Sequence, residues 1–333
     1  MALRVPLSAE ILLARAAARL SRLSGAGGGT TVPGKLLWKL DPGAVDRLAA
    51  RLPDGAALIS ATNGKTTTSA MTARILAPSF RLAHNRSGAN LVSGVASALL
   101  AAEGADLGLF EVDEGALPEV ARRLRPRALC LGNLFRDQLD RYGELELVAA
   151  RWRETVAALP EGAALVVNAD DPQVGALADG RPAATFGVDD PRHASEGLQH
   201  AADSKWCVRC GTPYLYAAAY IGHLGDYRCP ACGNARPALD VAARGIELNG
   251  LESVSFDLDT PEGSRRVELA VPGLYNVYNA LAAASLARAL GSGLEEIVAG
   301  LQGFSAAFGR FERIAVGERM LLVLLIKNPA GAN

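Results

Sequence analysis

The stretch Leu58-Ile59-Ser60-Ala61-Thr62-Asn63-Gly64-Lys65-Thr66-Thr67-Thr68 decides the reading of this chain. Leu58 and Ile59 close a buried strand, Asn63-Gly64-Lys65-Thr66 forms a tight turn, and Ser69 to Ala77 reads as the helix that follows. A phosphate-binding loop requires this order. Its glycine lets successive backbone N–H groups curl around an anion at a helix N-terminus. Lys65 is then placed for the β- and γ-phosphates of a nucleotide, and the Thr66 hydroxyl for a Mg2+ ion. The general pattern has a glycine five residues before Gly64, where this chain has Ile59, so the loop is a shortened variant. A chance Gly-Lys-Thr turn is the competing reading, and the strand, loop and helix signals falling in register argue against it.

The bulk properties fit a soluble intracellular enzyme. With 333 residues, half of them apolar, the chain can bury a sizeable core and divide into two or three domains. A net charge of −1 argues against a general nucleic-acid binder. The apolar stretch Ile11 to Leu23 is broken by Arg15, Arg19 and Arg22, which excludes a membrane span or a signal-peptide core. It reads as a basic amphipathic helix, packed on the domain behind it or attracted to an anionic membrane face. Met320 to Ile326 reads as a short buried strand.

Five cysteines carry the second signal. Cys207 and Cys210, then Cys229 and Cys232, form two C-x-x-C pairs, each followed by a glycine, Gly211 and Gly233. Four thiolates so paired can close a tetrahedral Zn2+ site of the ribbon type, structural because no coordination position stays open. Two disulfides are the alternative, disfavoured in the reducing cytosol that an ATP-binding loop implies. His223, between the pairs, reads as a surface residue because four cysteines fill the shell. Cys130, ending the apolar run Ala128–Leu131, reads as a core thiol and not a nucleophile.

Along the chain, Gly25 to Gly29 with Pro33-Gly34 reads as a flexible hinge, and Asp41 to Leu52 as a helix with Asp41 as N-cap and Pro42 at its first position. Short β-like runs at Ala56–Ser60, Leu107–Val112, Ala128–Leu131, Ala164–Asn168 and Ala184–Gly187 alternate with helical stretches. This pattern predicts a doubly wound, mostly parallel α/β sheet covered on both faces. Gly245–Leu248, Ser253–Leu258 and Arg265–Ala270 read as antiparallel strands, and Asn276 to Leu290 and Leu294 to Leu301 as helices. Three polar clusters follow strands, where such a sheet presents ligands. Glu111-Val112-Asp113-Glu114 offers a carboxylate for Mg2+, or is a solvated acidic turn; Asn133 to Asp140 and Asn168-Ala169-Asp170-Asp171-Pro172 are site segments or plain polar turns.

Ala61 to Thr67, Glu111, Asn133 to Asp140, Asn168 to Pro172, Pro272 to Ala283 and Gly309-Arg310-Phe311-Glu312 resemble, in that order, the central ATPase domain of the Mur ligases and folylpolyglutamate synthases. With the four-cysteine ribbon, Phe110 to Glu114 and Lys327-Asn328-Pro329-Ala330-Gly331, the chain resembles the MurT family, the ligase subunit of lipid II isoglutaminyl synthase. The resemblance implies an N-terminal helix and linker over 1–48 and a Mur ligase central ATPase domain over 49–316. It further implies that the ribbon is inserted at about 203–237 and that 317–333 would open a C-terminal α/β domain, cut short here. It implies ATP-dependent amidation of the D-glutamate α-carboxylate of the lipid II stem peptide through an acyl phosphate. Ammonia would come from a GatD-like glutaminase partner, in the cytoplasm or at the inner face of the plasma membrane. Lys65, Thr66 and Glu111 would be catalytic, with Mg2+ on Thr66 and Glu111. ATP would meet Thr62, Asn63, Gly64, Lys65, Thr66, Thr67, Asn168, Asn276, Asn279 and Arg310. His84 to Asn90 would line the phosphate or acceptor side, or form a plain surface loop.

Departures from the wider Mur pattern favour a specialised branch. Gln138 stands where most Mur ligases have a metal-binding His, Arg151 near where many have a Lys that becomes carbamylated, and Tyr275 where a His precedes Asn276. Ala61 replaces a glycine, a mild change if its φ is negative. Two alternatives stay open: a Mur or folylpolyglutamate synthase-type ligase adding an amino acid, and a zinc-ribbon binding module with an ATP switch. The second draws on the basic and aromatic residues of the ribbon, such as Arg209, Arg228, Trp206 and Tyr220. A glutaminase constellation is absent, so ammonia would have to come from outside the chain.

Overall fold

The computed structural model describes residue 16 and residues 31–85, 89–136, 145–198, 202–305, 311–316 and 319–324. Apart from residue 16, the expected Ile11–Leu23 helix lies outside these residues, as do the Gly25–Gly29 hinge, Gln138, Arg310 and the Lys327–Gly331 motif. β1 (Ala56–Ser60) lies between β3 (Leu107–Glu111) and β4 (Ala128–Leu131), parallel to both, and β2 (Leu82–His84) flanks β3. β5 (Ala164–Asn168) and β6 (Ala184–Val188) extend the parallel sheet beyond β4. β7 (Leu215–Ile221) and β8 (Leu224–Arg228) form a separate antiparallel hairpin. β9 (Val241–Asn249) returns beside β6, still parallel, and β10 (Ser253–Thr260) and β11 (Gly263–Leu269) finish the sheet as antiparallel strands. The order is β11-β10-β9-β6-β5-β4-β1-β3-β2. β12 (Phe311–Val316) pairs with β13 (Arg319–Leu324) in a two-stranded sheet among the described residues.

Every residue of β1, β3 and β4 is buried, as a parallel sheet covered on both faces demands. Helices Lys65–Leu76, Leu274–Ala289 and Leu294–Gln302 cover one face through Met71, Ile75, Val277, Leu281 and Ile297. Helices Val92–Ala101, Leu117–Leu124 and Leu145–Ala157 cover the other through Val95, Val120, Val148 and Trp152. The doubly wound sheet is therefore as predicted. It also carries β2 at one edge, too short and too little apolar to be read in sequence, and takes β9–β11 into the same sheet at the other. From β1 the chain goes to the edge strand β2 and back to β3 on one side, then crosses to β4, β5 and β6 on the other. The carboxyl ends of β1 and β4 thus form the switch point where such sheets bind ligands.

Three expectations need correction. Pro33 and Gly34 are not a hinge but lie in the first turn of the helix Val32–Leu40, where proline lacks only an N–H that would be unpaired anyway. Asp41 caps no helix; its Oδ1 accepts the Gly43 N–H at 2.8 Å, and the helix that follows is the shorter Ala44–Ala49. The terminal strand is not buried throughout, since Leu321 is 52% exposed. Gly34 is required by contact: its N–H donates to Ser97 Oγ at 2.9 Å, and a Cβ there would stand 1.8 Å from the Ser93 carbonyl oxygen. Gly34→Ala should therefore push two helices apart and cost about 1–3 kcal/mol, read as a lowered denaturant midpoint at unchanged slope.

Candidate active site

The phosphate-loop residues leave the end of β1 at the switch point. Gly64 has φ +85°, and a Cβ on it would come 2.0 Å from Asn279 Oδ1, so both the turn and its neighbour exclude a side chain. Ala61 is not in the left-handed region, where Arg125 is the one non-glycine among the described residues, so replacing a glycine there carries no backbone strain. The loop is clamped to the segment after β4. Asn63 N–H donates to Asn133 Oδ1 at 2.9 Å, while Asn133 Nδ2 donates to the Asn63 carbonyl at 3.1 Å. Thr62 N–H donates to the Asn133 carbonyl at 2.8 Å, and Phe135 N–H to Thr62 Oγ1 at 3.0 Å. Thr66 and Thr67 stand half-buried in the first turn of the helix.

Lys65 is buried. Its Nζ donates to the carbonyls of Ala61 and Thr62 and pairs with Glu114 Oε2 at 2.8 Å, both side chains under a tenth exposed. Glu114 thus holds the loop lysine, a role that the sequence alone does not assign to it. Its carbonyl accepts from Trp152 Nε1 at 3.1 Å, which fixes its backbone against the helix Leu145–Ala157. Glu111, Asp113 and Glu114 are all buried, so the cluster is no solvated turn. Glu111 pairs in register with Ile59 of β1, one strand from the loop. Asn85 brackets its backbone, accepting from Glu111 N–H at 2.9 Å and donating to its carbonyl at 2.7 Å, and Asn90 Nδ2 reaches Glu111 Oε1 at 3.4 Å. Of the expected His84–Asn90 loop, those two residues thus serve the acidic cluster, and His84 Nε2 lies 2.7 Å from Ser69 Oγ on the loop helix.

A narrow cleft of about 10 Å³ beside the loop brings Asn63, Asn168 and Asn279 together with Cys130, Phe186 and Tyr278. Asn279 Oδ1 accepts from Thr68 Oγ1 at 3.3 Å and its Nδ2 donates to Asn276 Oδ1 at 3.0 Å. Asn276 in turn donates to the Pro272 carbonyl at 2.7 Å, so it orients Asn279 from behind. Asn168 Oδ1 accepts the Asp170 N–H at 3.0 Å. Cys130 is a core thiol as expected, and burial pushes it up to about 12. Arg151 is exposed on its helix.

The four paired cysteines converge, with all four sulfurs within 4.8 Å of one another and all of them free. Cys207 and Cys232 stand 3.5 Å apart, as do Cys210 and Cys229. A tetrahedral Zn–thiolate site has sulfur–sulfur edges of about 3.8 Å, so the set fits a metal ion of that kind. Burial alone would raise the Cys207 thiol, but the N–H groups of Arg209 and Cys210 outweigh it and bring Cys207 down to about 6. Cys232 receives the Asn234 N–H, which lowers it, yet burial and the three neighbouring sulfurs push it up to about 12. Four sulfurs this close ionise together only around a cation. His223 is not on the surface: it is fully buried, its ring 4.6 Å from that of Phe135. The prediction that follows concerns access. After chelation at about pH 8, an alkylating reagent should modify the four ribbon thiols and spare Cys130 until the protein is unfolded; labelling of all five cysteines in folded protein would contradict this placement.

A sequence model of the Mur ligase middle domain matches residues 59–209. The MurT subunit of lipid II isoglutaminyl synthase (glutamine-hydrolysing) of Streptococcus pneumoniae is 33% identical over 319 residues, covering 94% of this chain and 69% of that protein. The subunit of the same name from Staphylococcus aureus (strain N315) is 32% identical over 328 residues, covering 97% and 72%. Among solved structures, a pseudomurein peptide ligase type C from Methanothermus fervidus superposes with a TM-score of 0.72 at 27% identity, covering 86% of this chain and 56% of that one. MurF from Acinetobacter baumannii shares the fold, with a TM-score of 0.64 over 86% of this chain and 53% of that one at 22% identity.

Proposed function

The chain belongs to the MurT family within the Mur ligases, and from that premise we propose that it is the ATP-dependent ligase subunit of a lipid II isoglutaminyl synthase. The observation that carries this reading furthest is the loop around Lys65, clamped by Asn133 at the switch point and opening on the cleft of Asn63, Asn168 and Asn279. In this reading residues 49–316 are the ATPase domain, with the ribbon of about 203–237 inserted in it. No helix among the described residues is long and apolar enough to cross a membrane.

A carboxylate is a poor acyl donor because oxide would have to leave. Its oxygen therefore attacks the γ-phosphorus of ATP and releases ADP, leaving an acyl phosphate. Ammonia then attacks the acyl carbon, phosphate departs with the bonding pair, and a proton is lost to give the amide. Lys65, with the backbone N–H groups of the loop, would hold the phosphates and offset the charge on the transferring group. Thr66 and Glu111 would hold Mg2+, which neutralises phosphate oxygens when bound. Thr62, Gly64 and Thr67 would complete the phosphate cradle, and Asn168 and Asn279, backed by Asn276, with Arg310 would meet the rest of the nucleotide. Cys207, Cys210, Cys229 and Cys232 would hold a structural Zn2+. Ammonia would come from a GatD-like glutaminase subunit.

Two outcomes follow. Lys65→Ala alone would strand Glu114 as a buried unpaired carboxylate, a loss of about 3–5 kcal/mol, and would confuse folding with catalysis. The double variant Lys65→Met/Glu114→Gln removes both charges and should stay folded by circular dichroism while ATP hydrolysis disappears; undiminished hydrolysis would remove the loop from the reaction. The second concerns nitrogen. ATP-dependent amidation of a D-glutamate-containing lipid II, followed by mass, should proceed with concentrated ammonium alone, or with glutamine once a glutaminase partner is added. Amide formed from glutamine without a partner counts against the two-subunit reading. Ligation of an added amino acid in place of amidation hands the case to an ordinary Mur-type ligase.

A further inference from the structure

We propose that His223, at the tip of the β7–β8 hairpin, is a positioning residue for the nucleotide loop, and that the four-cysteine site acts on nucleotide binding through it. The proposal rests on the nucleotide reading above. Its basis is a short, fully traceable path. At the base of the hairpin, Cys229 directly follows β8, and Cys207 and Cys229 pack with Tyr214 and Tyr227. Asn234 Nδ2 donates to the Tyr214 hydroxyl at 2.7 Å, Cys229 N–H to the Asn234 carbonyl at 2.6 Å, and Arg236 N–H to the Tyr227 carbonyl at 2.9 Å. The knuckle thereby sets where the hairpin points.

At the other end, Gly222 has φ +60°, and a Cβ on it would stand 2.8 Å from Phe135 Cε1. The His223 ring lies against the Phe135 ring, tilted by 49°. Phe135 is the residue whose backbone N–H donates to Thr62 Oγ1 at 3.0 Å and whose carbonyl accepts from the same hydroxyl at 3.3 Å. One residue thus separates the hairpin tip from the phosphate loop. A second contact runs alongside. His223 Nδ1 accepts the Asp203 N–H at 3.3 Å, so Nε2 is the nitrogen that carries a proton, and it lies 3.3 Å from Asp171 Oδ2. That approach is electrostatic and not a formed hydrogen bond, because Nε2 has no hydrogen-bond partner. Asp171 Oδ2 also accepts the Leu134 N–H at 2.8 Å. The imidazole therefore touches Phe135 directly and faces the carboxylate that holds Leu134, next to the Asn133 that clamps the loop. With the metal removed, the sulfurs take up protons and lose the bonds that drew them together, the hairpin base loosens, and the tip's hold on Phe135 loosens with it.

The test is ADP binding in the presence of Mg2+, by calorimetry, on the parent and on His223→Leu, each metal-loaded and chelator-stripped, with zinc content and thermal midpoint recorded for every form. His223→Leu should keep its metal and bind ADP about tenfold more weakly. Stripping the parent should cost a similar factor, and stripping the variant should add little, because the two changes break one path. His223→Gln, whose amide reaches as far as Nε2 and keeps a polar group facing Asp171, should recover part of the affinity. A metal-loaded His223→Leu that binds ADP within about twofold of the parent, or losses that simply add, overturns the proposal; a histidine that merely stabilised the hairpin would shift the midpoint alone. If His223→Leu does not fold, Gly222→Ala tests the same path by displacing the Phe135 ring without touching imidazole or thiols, and unchanged affinity there is equally fatal. A parent that binds no ADP removes the nucleotide reading and this proposal together, whereas binding with an unchanged variant removes only the proposal.

Discussion

Asp170 and Asp171 are consecutive carboxylates with no exposure to solvent, and the need to satisfy both fixes where three separate parts of the chain must meet. A buried charge without partners costs several kcal/mol, so each oxygen draws its own set. Asp170 Oδ2 accepts from the Tyr278 hydroxyl at 2.6 Å and the Val188 N–H at 2.8 Å, while Oδ1 faces Arg236 Nη1 at 3.2 Å. Burial pushes its carboxyl up from the usual range, and Arg236 leads the groups that oppose this. The same burial raises the Tyr278 phenol well above its ordinary value, so it stays a donor. Asp171 faces the other way. It caps the turn that follows by accepting from Gln173 and Val174, and holds Leu134 N–H. One dipeptide after β5 thus ties the helix bearing Asn279, the exit of the ribbon and the segment clamping the phosphate loop.

What could be read from the sequence was what short-range chemistry writes into adjacent residues. The Gly64-Lys65-Thr66 turn needs its glycine locally, the paired cysteines need their spacing, and the strands of a parallel sheet are continuous apolar runs. What could not be read is non-local. The Asn63–Asn133 exchange spans seventy residues, and the Lys65–Glu114 pair forty-nine; no periodicity links such partners. His223 reads as a surface residue because histidine is polar and the metal shell is full, yet the hairpin tip carrying it is pressed against Phe135. Pro33-Gly34 carries a hinge composition, but proline at a helix start and glycine at a helix crossing have the same letters. β9 to β11 show their antiparallel pairing in their sequence, but not the edge of the main sheet to which they add.

The charge balance around Lys65 bears on what the proposed nucleotide must bring. In the chain as folded, the ammonium is fully engaged by two carbonyls of its own loop and by Glu114. Three buried carboxylates, Glu111, Asp113 and Glu114, stand on the strand and turn beside it. A bare triphosphate would therefore meet more negative than positive charge, in surroundings where water screens poorly. A divalent cation reverses that balance, and freeing Lys65 for the phosphates costs less once the carboxylates have a second cation to face. On the proposed reading the acidic cluster would select the metal-bound nucleotide over the free one, and Glu114 would hold the lysine in place until that exchange of partners.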